Sequence, residues 1–168
     1  MPRPSRLAAA VVVLAAGWLI LGLWNSDARR IERRLAKLQK LAGKSLVETQ
    51  FRGAAKAKGI ADLFATDFDF IAEPESFATS NRQDLIRGVM AYRSRSRSLL
   101  VDVLRKDLFI DSGGASATHY AYVQFVNDLG DFAGTATYPV QIEWVKADGK
   151  WLIKKLEVLP EEQVQPLR

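Results

Sequence analysis

The chain carries one histidine, His119, and no cysteine in 168 residues, and that inventory bounds its chemistry. Histidine can act near neutral pH as acid, base or ligand. By strand alternation His119 shares a face with Ala117, Ala121, Val123 and Phe125. That pattern reads first as a packed, hydrogen-bonded residue and only second as a catalyst. Without cysteine there is no disulfide, thiolate metal site or thiol nucleophile. One histidine would leave only carboxylates to complete a metal shell, so no metal is expected. Gly113-Gly114 sits in a hairpin turn rather than ahead of a helix, which excludes a phosphate cradle there. No Ser/His/Asp set assembles by spacing, and no cofactor is implied.

Arg93-Ser94-Arg95-Ser96-Arg97-Ser98 alternates as RNA-associated arginine–serine segments do, but for three repeats only. The charge distribution argues against nucleic acid. Net charge is +5, of which residues 1–24 carry +2, residues 25–40 carry +4 and the remaining 128 residues carry -1. A basic footprint spread over the folded domain is therefore missing. Arg93 instead suits the negative end of a helix.

Residues 7–24, from Leu7 to Trp24, contain no charged or strongly polar side chain. As a helix they would span about 27 Å, close to a hydrocarbon core of about 30 Å. A membrane anchor is expected, with residues 1–6 a short basic terminus. A cleaved signal peptide is the alternative, since Ser26-Asp27-Ala28 offers a small-residue site. Lys/Arg counting favours a cytoplasmic domain, whereas the short basic start and apolar run resemble an export signal. Export, to the periplasmic side of a bacterial inner membrane, is the reading adopted.

Beyond the anchor, Ala28, Ile31, Leu35, Leu38 and Ala42 recur at helical spacing, with Gly43 as a stop. Residues 54–64 predict a second helix. Phe68, Phe70 and Ala72 alternate with acids as a short strand that Pro74 ends. Ser80 and Gln83 form a capping box for a third helix carrying Leu85, Ile86, Val89 and Met90 inward. From Leu99 the period becomes two. Four strands follow, joined by short turns that demand antiparallel neighbours. Asp148-Gly149 is a type I′ dipeptide. Tyr138, Val140, Ile142 and Trp144 share one face, as do Trp151 and Ile153. Helices first and strands after make an α+β domain over residues 28–159, with a loose tail at 160–168.

This order of elements, closing on Asp148-Gly149-Lys150-Trp151-Leu152-Ile153, resembles the nuclear transport factor 2-like superfamily, in particular its SnoaL-like branch. The resemblance implies a cone, a curved antiparallel sheet wrapped around three helices, with a pocket at its open end. It also implies that a homodimer through the sheet is possible. Members include isomerases, cyclases, hydrolases and non-catalytic binders, so fold does not choose the function. Ketosteroid-isomerase-like members use an acidic base with a tyrosine; the first helix here has no tyrosine, and Asp69 is the nearest match for the base. SnoaL-type cyclases use an acid near the end of the sheet, for which Glu157 is the positional candidate, on the Trp151 face by parity. The expected pocket residues are Tyr92, His119, Tyr138 and Trp144. The leading expectation is non-catalytic binding of a small apolar ligand or a protein partner. The alternatives are a proton-shuttling enzyme using Glu157, Asp69 or His119, and an assembly component of an envelope complex.

Overall fold

The computed structural model describes residues 26–128 and 133–160. The expected anchor at 7–24, the basic terminus and nearly all of the tail lie outside the described residues. Among the described residues, no helix is long and apolar enough to cross a membrane.

Helix α1 (Asp27–Ala42) forms where the apolar stripe was expected, with Ile31 and Leu35 fully buried. Arg29, Arg33, Lys37 and Lys40 point to solvent on the opposite side. Helix α2 (Gln50–Ala61) starts four residues earlier than its apolar residues indicate, because the Thr49 hydroxyl caps it by accepting the Arg52 N–H at 3.3 Å. Helix α3 (Arg82–Arg95) is capped by Asn81 rather than Ser80. The Asn81 Oδ1 accepts from the Gln83 and Asp84 N–H groups at 2.8 and 3.2 Å. Asn81 takes the cap by satisfying two orphan N–H groups of the first turn with one oxygen.

Strands β1 (Phe64–Ala72), β2 (Phe77–Thr79), β3 (Ser98–Ile110), β4 (Ser116–Asp128), β5 (Ala133–Ala147) and β6 (Lys150–Val158) form one sheet in the order β2-β1-β6-β5-β4-β3. The expected meander is its larger part. Two strands extend it: β1 lies parallel to β6, and the three-residue β2 pairs antiparallel with β1. Asp148 and Gly149 adopt φ of 50° and 72°, as a type I′ turn requires.

Irregularities in register bend this sheet. An extra residue at Leu104 interrupts β3 against β4, and Lys154 does the same in β6, where Ile153 faces Trp144 but Lys155 faces Glu143. The Lys154 bulge inverts the parity of everything after it. Leu156, at 6% exposure, therefore points inward. Glu157 turns to the outer face and pairs with Lys155 at 2.8 Å, which corrects its expected inward placement.

Polar ties fix α1 at both ends, one to the sheet and one to α3. At the base, the Asp27 carboxylate accepts from Trp151 Nε1 at 2.9 Å and Lys146 Nζ at 2.8 Å. At the other end of α1, the Arg93 guanidinium donates to the carbonyls of Leu41, Ala42 and Gly43 and pairs with Glu48. Arg93 thus caps α1 rather than its own helix. Lys44 returns the bond, donating to the carbonyls of Arg93 and Ser96 at the end of α3. Burial pushes the Glu48 carboxyl up, but hydrogen bonds from Lys56 and Arg93 outweigh it and hold the group below its ordinary range. The arginine–serine segment is absorbed by this architecture, with Arg93 and Ser96 buried.

Candidate functional site

Between the concave face of the sheet and the helices lies a cavity of about 680 Å³, within the range of small-molecule sites. The sheet contributes Val101, Val103, Val123, Val140 and Leu156, every one on the inward parity. Leu35 and Leu38 of α1, Ile60 of α2 and Val89 of α3 close the other side. Phe70 and Phe77 form an aromatic wall with ring centroids 5.9 Å apart. Gly88 of α3 lets that wall approach: a Cβ there would lie 2.5 Å from the Phe77 ring.

The lining is not wholly apolar: Gln39, Asp84, Arg87 and Arg95 border it too, and two phenols meet at one corner. Tyr92 of α3 and Tyr138 of β5 both line the cavity, and the Tyr138 ring rests on Phe125 at 6.0 Å. Burial pushes the Tyr92 phenol above its ordinary pKa; the Glu75 carboxylate and the Tyr138 phenol add to the rise, and a hydrogen bond with Asn127 offsets part of it. Tyr92 is therefore a neutral hydrogen-bonding hydroxyl at any physiological pH. The Oδ1 of Asn127, whose side chain bonds Tyr92 from behind the cavity lining, is buried and finds no partner among the described residues.

The four expected pocket residues separate. Tyr92 and Tyr138 line the cavity; His119 and Trp144 do not, and are packed into the core beside it. His119 lies in the row Leu108–His119–Ile142, fully buried, with neither ring nitrogen hydrogen-bonded. The Glu32 carboxylate is 3.8 Å from its Nε2. Burial pulls the His119 pKa down; the Glu32 carboxylate pushes the other way without overcoming it. Trp144 is 1% exposed and belongs to the hydrophobic core. Its Cβ direction was read correctly; its depth was not, because the helices already fill that end of the cone.

Asp69 is exposed on the outer face, and Glu157 joins it there, so none of the three expected proton-transfer groups enters the cavity. Among the described residues, no group of three His, Cys, Asp or Glu side chains is placed to hold a metal ion. Asn127 and Glu75 are the residues missed. Asn127 was within reach, since it continues the inward parity of Val123 and Phe125 to the end of β4. Glu75 carried no such signal, because it sits in a short 3-10 turn (Glu73–Glu75).

No family model matches the chain, and no curated protein matches it. Solved structures do. An NTF2-like protein with a cystatin-like fold from Novosphingobium aromaticivorans is 12% identical, with a TM-score of 0.65 over 98% of this chain and 94% of that one. ActVI-ORFA from Streptomyces coelicolor is 16% identical, with a TM-score of 0.63 over 82% of this chain and 99% of that one. A protein from Catenulispora acidiphila in complex with S-DNPA is 18% identical, with a TM-score of 0.59 over 78% and 92%. Three helices and a curved six-stranded sheet give this chain the nuclear transport factor 2-like, cystatin-like α+β fold. At these identities the likeness carries the fold and nothing finer.

Proposed function

We propose that the chain is a non-catalytic binder of a small, neutral, largely apolar ligand, held in the cavity with one hydroxyl or carbonyl at the Tyr92–Tyr138 corner. The observation that carries this is a cavity of about 680 Å³ lined mainly by apolar side chains, with Tyr92 and Tyr138 among them and His119, Asp69 and Glu157 outside it. Apolar burial supplies affinity, while the two phenols orient the ligand. A neighbour of the same fold was solved in complex with S-DNPA, which is in keeping with a ligand-binding role. Glu75 borders the Tyr92 corner, but Arg87, Arg93 and Arg95 also line the cavity, so the choice of a neutral ligand rests on the mainly apolar lining.

Titration calorimetry with 2-naphthol, naphthalene and 2-naphthoate tests the reading. The alcohol is expected to bind tightest. Tyr92→Phe and Tyr138→Phe should each weaken it by up to about tenfold, one net hydrogen bond, leaving naphthalene unaffected. Val123→Trp should abolish binding of all three while the fold persists by circular dichroism. Tightest binding of the carboxylate, or binding undiminished in Val123→Trp, would contradict it.

A second reading concerns a partner of the same chain. The outer face of β3 exposes Leu100, Leu104 and Phe109 at 55%, 57% and 61%, an apolar surface of the kind that marks interaction sites. A homodimer through this face is the reading it favours. Sedimentation should show a dimer that Phe109→Lys converts to a monomer; a monomer at all concentrations removes it. We also read residues 7–24 as a membrane anchor with the domain on the exported side. Protease added to spheroplasts should then cleave the domain.

A further inference from the structure

The outward side of α1 and the corner that follows it share a character that the cavity does not explain. Arg29, Arg33, Lys37 and Lys40 are exposed along the 16 residues of α1, about 24 Å of helix, and Arg30 flanks them. The two acids of that helix are engaged: Asp27 bonds the β5–β6 hairpin and lies 4.0 Å from Arg30, and Glu32 bonds Lys106. Among the described residues, no carboxylate pairs with Arg29, Lys37 or Lys40. At the end of the helix the chain turns through Leu46 and Val47 and enters α2 at Phe51, leaving these three side chains 73%, 82% and 84% exposed. Among the described residues they are the three most exposed of the large hydrophobics.

We propose that this basic helix face and its apolar corner dock on an anionic lipid bilayer. A helix with basic residues on one side, adjoining exposed leucine, valine and phenylalanine, has the composition of an interfacial membrane element. Cations draw it to acidic headgroups, and the apolar corner enters the headgroup–acyl boundary. A protein partner would supply carboxylates at fixed points, whereas here the charge is an unbroken single-sign row, complementary to a laterally uniform anionic surface. The sequence agrees, because the uncharged run of residues 7–24 stops three residues before α1 begins. The inference is independent of the ligand cavity. Docking along α1 would set the domain close against the membrane instead of leaving it loose on a tether.

The absence of native cysteine makes the test clean. Full-length Val47→Cys and Phe109→Cys, each labelled with a fluorophore, are reconstituted into phosphatidylcholine vesicles and into vesicles with equal parts phosphatidylglycerol. Quenching by acrylamide, a neutral probe, reads exposure. The label at position 47 should be protected only with phosphatidylglycerol, and high salt should expose it again. The label at position 109, on the outer sheet face, should read the same in both. Adding Arg29→Gln, Lys37→Gln and Lys40→Gln together should lower the docked-to-undocked ratio by about two orders of magnitude, with circular dichroism unchanged. Equal quenching at position 47 in both lipids, equal protection at both positions, or a triple variant that docks like its parent would overturn the proposal.

Discussion

Replacing Arg93 with methionine isolates the tie that joins α1 to α3. Its guanidinium and the Glu48 carboxylate are 4% and 3% exposed, so the pair sits in a medium that screens it weakly. Breaking a buried pair by removing one partner costs about 3–5 kcal/mol. Lys56 remains on the other Glu48 oxygen at 2.6 Å and holds part of that charge. In return, the carbonyls of Leu41, Ala42 and Gly43, at 3.1, 2.6 and 3.1 Å from the guanidinium, lose their donor. The balance is a loss of about 4 kcal/mol, a large share of the 5–15 kcal/mol typical of a domain. Urea denaturation followed by tryptophan fluorescence reads it, since Trp144 and Trp151 are both buried in the core. The midpoint should fall with an unchanged slope. Glu48→Gln should cost less, because Arg93 keeps its three carbonyls, and the double variant should cost less than the two losses added together. Arg93→Met within about 1 kcal/mol of the parent would refute the reasoning.

Three further outcomes follow from the same geometry. His119 is held below its ordinary pKa by burial, so the unfolded chain takes up the proton first. Stability carried by neutral His119 is complete above about pH 6.5 and is lost as pH falls from there toward the folded value. His119→Leu should therefore flatten the decline in melting temperature between pH 7.5 and pH 5 relative to the parent, and an equally steep decline would contradict this. Gly88→Ala places a methyl against the Phe77 ring; it should cost about 1–3 kcal/mol by thermal denaturation and reduce 2-naphthol binding as the ring is driven into the cavity. Asp27→Ala removes the acceptor for Trp151 and Lys146 and should cost about 1–2 kcal/mol, with increased hydrogen exchange confined to the first turn of α1.

The sequence made the local elements legible where one residue type meets one geometric need. Asp148-Gly149 announced its turn because two consecutive positive φ angles admit few residue pairs. The Ile31–Leu35 stripe announced α1 because one helix face had to be buried. What escaped was non-local. The parallel pairing of β1 with β6 joins residues about ninety positions apart, and no periodicity encodes a partner. The three residues of β2 are too few to show alternation. The bulge at Lys154 carries no glycine or proline to mark it, yet it decides that Leu156 faces the cavity and Glu157 does not. Of the residues expected together, Tyr92 and Tyr138 line the cavity, while Trp144 and His119 lie on the same inward side at a depth already occupied. Arg93 reads as a partner for the end of a helix, but nothing in its neighbourhood reveals that the carbonyls it meets are those of Leu41, Ala42 and Gly43 at the end of α1.

The most direct test of the central claim is where a ligand sits. Intermolecular nuclear Overhauser effects between 2-naphthol and the methyl groups of the labelled protein should connect the aromatic rings to Val101, Val123, Val140 and Leu156, with the hydroxyl-bearing ring nearest Tyr92 and Tyr138. Contacts confined to Leu104 and Phe109 on the outer sheet face, or no contacts at saturating ligand, would contradict a cavity that binds small apolar molecules.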